Sequence, residues 1–166
     1  MHAEAFRFVS RYMTNDALSV IEIGSRDING TSRPLFPAAS WIGLDLHPGP
    51  CVDVVCDAVN YVPTSLVDLV VCTEVLEHAP NWRELIHCAA SWLLPGGRLI
   101  ITCAGPGRAP HSHHDGGELH DGEYYGNLSA DQIAEELHYA GLLVEHCEQA
   151  GDDTQAVGLK ALGPSE

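Results

Sequence analysis

Three acids follow three short apolar runs, and two of them, Asp45 and Asp57, are spaced to suit the parts of a nucleoside. The run VIEIG (20–24) opens into the loop Ser25-Arg26-Asp27-Ile28-Asn29-Gly30, WIGLDL (41–46) ends in Asp45-Leu46, and VDVVCDA (52–58) ends in Asp57-Ala58. Asp45 stands 21 residues beyond Gly24, close to the ~20 at which an acid after a second strand hydrogen-bonds the two hydroxyls of a ribose. Asp57 beside the small Ala58 suits an adenine amino group and ring nitrogen; a helix cap or a solvated turn acid is the plainer use of the same residue. A dinucleotide site asks for GxGxxG in the first loop, so that the backbone can approach a pyrophosphate at a helix amino end. This loop lacks the middle glycine and puts Asp27 where phosphates would sit, so it favours a ligand with a cationic or zwitterionic end.

A second group of residues is rich in imidazole. His78 closes EVLEH (74–78), and PHSHHDGGELHDGEYYGN (110–127) holds His111, His113, His114, Asp115, His120 and Asp121. Such side chains can ligate a divalent cation or move protons. Their spacing is not that of a helical HxxxH pair, and a glycine-rich loop can aim them several ways, so no metal site is assigned. A polar lid over a ligand is the leading reading, ahead of a structural metal or a solvated connection. Tyr124 and Tyr125 either pack on a ligand ring or seat the loop on the sheet, the second being the commoner use of such tyrosines.

These groups need a scaffold that brings them together. LSVIEIG (18–24), WIGLDL, VDVVCD (52–57), DLVVCT (68–73) and GRLIITCA (97–104) are near-continuous apolar runs with β-branched residues, the pattern of strands buried on both faces of a parallel sheet. An N-terminal helix over about 3–14 is expected from Phe6, Val9 and Tyr12 or Met13 at helical spacing. In NWRELIHCAASWLL, Trp82, Leu85, Ile86, Ala89, Trp92 and Leu93 recur on one helical face, with a stop at Pro95-Gly96-Gly97. Another helix follows in NLSADQIAEELHYAGL, with Ser129 and Gln132 as a capping box and Gly141 as its C-terminal signal. LLVEHCEQ and TQAVGLKALG then form a closing hairpin. The fold expected is α/β, one domain over 1–166: a Rossmann-like three-layer sandwich around a mostly parallel seven-stranded sheet with an antiparallel terminal hairpin.

Composition narrows the function by exclusion. With 166 residues, 45% hydrophobic and 19% charged, the chain suits one globular core. Its apolar runs fall short of a membrane span, and MHAEAFRFVSRYM lacks the apolar segment of a secretory signal; a cytoplasmic location is the expectation. Twenty-three acids against 8 basic residues, a net charge of −15, disfavour stable nucleic acid binding. Arg7 and Arg11 are expected on a solvated helix face. The six cysteines include no CxxC and read as buried reduced thiols.

The order VIEIGSRDING, LDL, CDA, DLVVCTEVLEH and LLPGGRLIITC resembles the class I S-adenosylmethionine-dependent methyltransferases, in particular the small UbiE-like branch with EVLEH after the fourth strand. The resemblance runs from about residue 18 to the final hairpin. It implies S-adenosylmethionine as cofactor and S-adenosylhomocysteine as product. It places Glu22, Gly24 and the backbone of Ser25 and Arg26 at the methionine end, Asp45 on the ribose hydroxyls, Leu46 on the adenine face, and Asp57 with Ala58 on the adenine edge. Thr73 and Glu74 would lie near the sulfonium, and His78, His111 and His114 become candidates for a base. The family loop usually reads ExGxGxG, from which SRDING departs.

No insertion large enough for a separate substrate-recognition domain interrupts the pattern. Acceptor selectivity is expected from the N-terminal helix and the loop over about 105–127, or from a second subunit in a homodimer. The acceptor implied is a small molecule, with oxygen favoured as the methylated atom because of the histidine-rich loop. A second reading keeps the fold without the catalysis, as a non-catalytic S-adenosylmethionine-binding module partnering a larger enzyme. A nicotinamide-dependent oxidoreductase is third, opposed by the missing GxGxxG.

Overall fold

A computed structural model describes residues 2–163; Met1 and 164–166, the ends of the domain expected over 1–166, lie outside the described residues. Seven strands form one sheet in the order β3-β2-β1-β4-β5-β7-β6. The strands are β1 (Ser19–Ile23), β2 (Ser40–Asp45), β3 (Val54–Val55), β4 (Val67–Thr73), β5 (Leu93–Ala104), β6 (Leu142–Ala150) and β7 (Asp153–Lys160), and the α-helices are α1 (Ala3–Val9), α2 (Trp82–Ser91) and α3 (Ala130–Tyr139). Strands β3, β2, β1, β4 and β5 run parallel, while β7 pairs antiparallel with both β5 and β6. This is the mixed Rossmann-like sheet expected.

Burial on both faces explains the unbroken apolar runs of the central strands. On one face Ile21, Ile23, Val70, Cys72, Leu99 and Ile101 meet α2 and α3 through Leu85, Ile86, Ala89, Ile133 and Leu137. On the other, Val20, Leu69, Val71, Ile100 and Val157 meet Phe8 and Val9 of α1, with Leu35 and Phe36. This second layer is thin, because the chain crosses from β1 to β2 with only a 3-10 turn, Arg33–Leu35. The capping box at α3 is present: the Gln132 amide donates to the Ser129 hydroxyl at 3.3 Å, and the Ser129 amide donates to the Gln132 side chain at 2.9 Å. Gly141 takes φ +78° just past that helix.

Several expectations need correction. Helix α1 ends at Val9 and continues only as a 3-10 turn to Tyr12; its buried face is Ala5, Phe8 and Val9, while Phe6 and Met13 are exposed. The third strand shrinks from 52–57 to Val54–Val55, because it is the sheet edge and Val55 faces outward. The stop at Pro95-Gly96-Gly97 does not end a helix, since α2 finishes at Ser91 and Leu93 already pairs with Val67. The buried Trp92 and Leu93 dock the chain on the sheet first; residues 94–97 then bulge before pairing resumes at Leu69 and Arg98. All six cysteines are free, but only Cys72 and Cys103 are buried.

Candidate active site

Strand order reverses between β1 and β4, and in open α/β sheets ligands bind beyond the carboxyl ends of the strands at such a point. A cavity of about 490 Å³ opens there, in the loops that follow β1, β2, β3 and β4, within the size class of small-molecule sites. Of the residues singled out in the sequence, Gly24, Arg26, Asp45, Leu46, Asp57, Ala58, Thr73, Glu74, His78 and His111 line it. Glu22, Ser25 and His114 do not.

Backbone geometry builds the floor. Gly24 adopts φ +71°, and a Cβ there would come within 2.2 Å of Val75 Cγ2, so the first turn can press against the β4 loop only as glycine. The Gly24 and Ser25 amides both donate to the Leu44 carbonyl, at 2.9 and 3.0 Å. Asp45 accepts from the amides of Arg26 at 3.2 Å and His47 at 2.9 Å, one on each carboxylate oxygen. Asp57 caps the 3-10 turn Ala58–Asn60 by accepting from the Val59 amide at 3.2 Å, so the cap and the cavity wall are the same residue. Because only Oδ1 is used, a second acceptor oxygen remains.

Two residues of the first strand and loop behave otherwise than expected. Asp27 does not face the cavity: its carboxylate accepts from the Gly30 amide at 2.8 Å and closes its own turn. What disfavours a pyrophosphate is therefore not its charge but the lack of an α-helix after β1 to offer an amino end. Glu22 is buried and turned away, accepting from the Ser32 hydroxyl at 3.1 Å and Arg33 Nε at 3.3 Å. Burial pushes its pKa up, against the pull of Ser32 and Arg33. Arg33 also donates to the Cys51 carbonyl at 2.6 Å, so this pair fastens the loops behind the floor. Arg33 thus supports the loops behind the floor, while Arg26 lines the cavity.

At the end of β4, Glu74 sits at φ +56°, a costly conformation for a residue with a side chain. Its amide donates to the Thr102 carbonyl and its carboxylate accepts from the Thr102 hydroxyl, both at 2.8 Å. The other oxygen faces His2 Nε2 at 2.9 Å and Arg108 Nη2 at 3.3 Å. Burial would raise this carboxyl, but His2, Thr102 and Arg108 outweigh it and hold it below its usual range. Arg108 also pairs with Asp153.

Above the floor lies the histidine-rich loop, which returns to the core where the Leu128 amide donates to the Ala104 carbonyl and the Gly126 amide to the Glu77 carbonyl, both at 2.8 Å. His111, Ser112 and His113 from this lid reach the cavity. His78 is packed edge-on by the rings of His111 at 5.0 Å and Tyr125 at 5.3 Å, and its Nδ1 is buried without a partner. Burial first, then the neighbouring His111 and His113, lower its pKa to about 4, so it is a neutral imidazole at pH 7. Tyr125 donates to the Ala109 carbonyl at 3.4 Å, seating the loop as well as touching the histidines. Beneath them Glu77 is fully buried, with both carboxyl oxygens unpartnered; burial and the nearby Glu74 raise its pKa to about 8.

The sequence reading missed His47, which lines the cavity and lies beside the lid histidines, 5.5 Å ring to ring from His114 and 6.2 Å from His113. It also missed Glu123, whose carboxylate accepts from the Ser112 hydroxyl at 2.8 Å and the His120 amide at 2.7 Å and lies 2.7 Å from His113 Nδ1. A signal for His47 was available, since it follows Asp45 by two residues and must share that acid's turn.

The family model described as "Methyltransferase domain" matches residues 1–146. No curated protein sequence matches the chain. Among solved structures, the chain is similar to the 1,6-didemethyltoxoflavin-N1-methyltransferase of Burkholderia thailandensis, bound to 1,6-didemethyltoxoflavin and S-adenosylhomocysteine, with TM-score 0.72, 16% identity, and coverage of 95% of this chain and 78% of that one. It is also similar to the N-methyltransferase NodS of Bradyrhizobium japonicum WM9, in complex with S-adenosylhomocysteine, with TM-score 0.68, 19% identity, and coverage of 98% and 87%. An O-methyltransferase family protein from Burkholderia thailandensis gives TM-score 0.65 and 21% identity over 96% of this chain and 56% of that one.

Proposed function

Because the chain belongs to the methyltransferase-domain family, we propose that it transfers a methyl group from S-adenosylmethionine to a small-molecule acceptor, with oxygen the favoured acceptor atom. One observation carries the reading: at the point where strand order reverses, a single cavity is lined by a positive-φ glycine, two acids from successive strands and a neutral histidine, Gly24, Asp45, Asp57 and His78. The donor set fits the cofactor. Asp45, held by two amides, keeps lone pairs for the ribose hydroxyls, Leu46 offers an apolar surface to the adenine, and the free oxygen of Asp57 suits the adenine amino group. An acid-rich cleft suits a sulfonium and an ammonium, and Arg26, whose Nε is buried without a partner, suits the carboxylate of the same zwitterion.

When bound, the cofactor supplies an activated methyl group and its own leaving group. The chain's contribution is positioning, which can be worth ~7 kcal/mol or more, and proton removal where the acceptor requires it. His78 serves the second need, being unprotonated at pH 7 and set in the cavity wall among His111 and Tyr125. With a pKa of about 4 it is a weak base that acts by position, and the gathering of His78, His111 and His113 at the cavity is what favours a hydroxyl acceptor. His111 shares the wall, while His114 packs against the His113 ring, 3.9 Å between centroids, and does not line the cavity.

EVLEH after β4 supports a place in the UbiE-like branch. The acid surplus supports a partner that is not nucleic acid. No helix among the described residues is long and apolar enough to cross a membrane; a cytoplasmic location, and a homodimer covering the thin sheet face, belong to the same proposal.

Thermal shift with S-adenosylhomocysteine, S-adenosylmethionine and NADH, side by side, tests the core of it. Ligands that bind the folded state raise its melting temperature by mass action, so a rise is expected with the two sulfur ligands and none with NADH. Absence of any shift with the sulfur ligands would sink the methyltransferase reading. Binding without turnover across a panel of phenols, sugars and amines would instead leave a non-catalytic module.

A further inference from the structure

We propose that His47, His113 and His114 form a binding site for a divalent transition metal, which fastens the histidine-rich lid to the loop after β2. The site does not depend on the identity of the ligand in the cavity. One ring nitrogen from each of the three residues lies within 4.8 Å of the others. They come from two segments more than sixty residues apart in the chain, so the fold, and not a local run of histidines, brings them together. Neutral imidazole is a preferred ligand of zinc, copper and nickel, and a set of three leaves a coordination position open.

The arrangement is close to what a metal requires. A tetrahedral zinc with nitrogen about 2.1 Å away separates its ligand atoms by roughly 3.4 Å, so each pair of nitrogens must close by about 1.4 Å at most from the 4.8 Å bound. All three residues sit in loops, where such a movement is small. His113 Nδ1 lies 2.7 Å from the Glu123 carboxylate, so the proposal assigns Nε2 to the metal and leaves Nδ1 to donate to Glu123, the support that a metal-bound histidine usually has. That carboxylate is itself held by Ser112 and the His120 amide. Arg26 opposes the cation from the cavity side, and the charge of Glu123 offsets it.

The consequence is mechanical. His47 is tied to the floor through the hydrogen bond its backbone amide donates to the Asp45 carboxylate, while His113 and His114 belong to the lid. A metal shared between them would close the lid over Asp45 and exclude water from the cavity.

The test is a zinc titration of the metal-stripped full chain by calorimetry, with hydrogen exchange of residues 111–117 read in parallel. One equivalent should bind, and the lid amides should slow at least tenfold on binding. His47→Gln and His113→Gln should each weaken zinc by tenfold or more and abolish the slowing, whereas His138→Gln, on α3, should change neither. Equal melting temperatures without zinc establish that the variants fold. His47→Gln is decisive, because a flexible HSHH segment can hold a metal unaided. Undiminished affinity in that variant would overturn the proposal, as would no binding by the native chain. Since the readout is metal and lid alone, failure here leaves the methyl-transfer reading untouched.

Discussion

On the floor of the cavity, backbone holds side chains; in the lid, side chains largely hold one another. Asp45 and Asp57 are fixed by the amides of Arg26, His47 and Val59, which the sheet places whatever the solution conditions. In the lid, Glu123 gathers Ser112 and His113, and His78 rests against His111 and Tyr125. Those contacts depend on ionisation and ring packing. The floor should therefore govern how tightly the cofactor is held, and the lid side how fast and at what pH the reaction runs.

Separating those two quantities is the strongest way to break the contrast. His78→Gln should lower kcat for a hydroxyl acceptor by roughly 10²-fold, the low end of what a positioned base supplies because its pKa lies well below the working pH, while leaving S-adenosylhomocysteine affinity within about threefold of native. The native enzyme's activity should fall on the acid side near pH 4, where His78 protonates, and not near 6.5. An unchanged kcat would reduce His78 to a packing residue. Asp45→Asn should do the converse: affinity for S-adenosylhomocysteine, read by calorimetry, should drop on the order of 100-fold, as expected for losing charge-assisted bonds to two hydroxyls. Retained affinity would mean that the ribose lies elsewhere.

Gly24→Ala probes the floor's geometry. The new methyl meets Val75 Cγ2 at 2.2 Å with φ at +71°, and the strain should destabilise the fold by about 2 kcal/mol, lowering the melting temperature by roughly 4–8 °C. Adding Val75→Ala removes the collision but not the φ penalty, so it should restore about half. Full restoration would show that sterics alone require the glycine.

The floor was the legible region. Strand-length apolar runs and the 21-residue step from Gly24 to Asp45 are local patterns, as is the Ser129–Gln132 box that caps α3 away from the floor, and local patterns survive in a sequence. Asp27 shows the limit of such patterns, because loop position does not fix side-chain direction: three residues before Gly30, its carboxylate closes its own turn. His47 was invisible as a partner of His113, since nothing periodic links two loops that meet only when the lid folds over the sheet. The bulge at 94–97 was hidden for a related reason: Trp92 and Leu93 are drawn to the core before the Pro-Gly-Gly turn is reached. Nor could spacing show that the chain would pass from β1 to β2 with only a 3-10 turn.

Glu77 joins the two regions, since its carbonyl accepts the Gly126 amide at the foot of the lid while its carboxyl is buried without a partner beneath. Burial, reinforced by Glu74, raises that carboxyl from 4.5 to about 8, so the folded state keeps a proton that the unfolded chain releases. Stability from this group is complete below pH 4.5, declines as pH rises, and is lost once pH passes 8. His78 works in the opposite direction, its lowered pKa adding stability as pH climbs from about 4 to 6.5. Between pH 6.5 and 8 His78 no longer changes, but His2, raised above 6.5 by its bond to Glu74 and by Asp153, also loses stability as pH climbs, so Glu77 is isolated by difference between native and variant. At about 1.4 kcal/mol per pH unit the native chain should lose up to roughly 2 kcal/mol across that window, a fall in melting temperature of about 4–8 °C. Glu77→Gln keeps the shape and removes this titration, so its melting temperature should fall less steeply over the same window, the remaining slope being that of His2. Parallel curves for the two proteins would mean that Glu77 is ionised in the fold, and that the lid's foot rests on a charge.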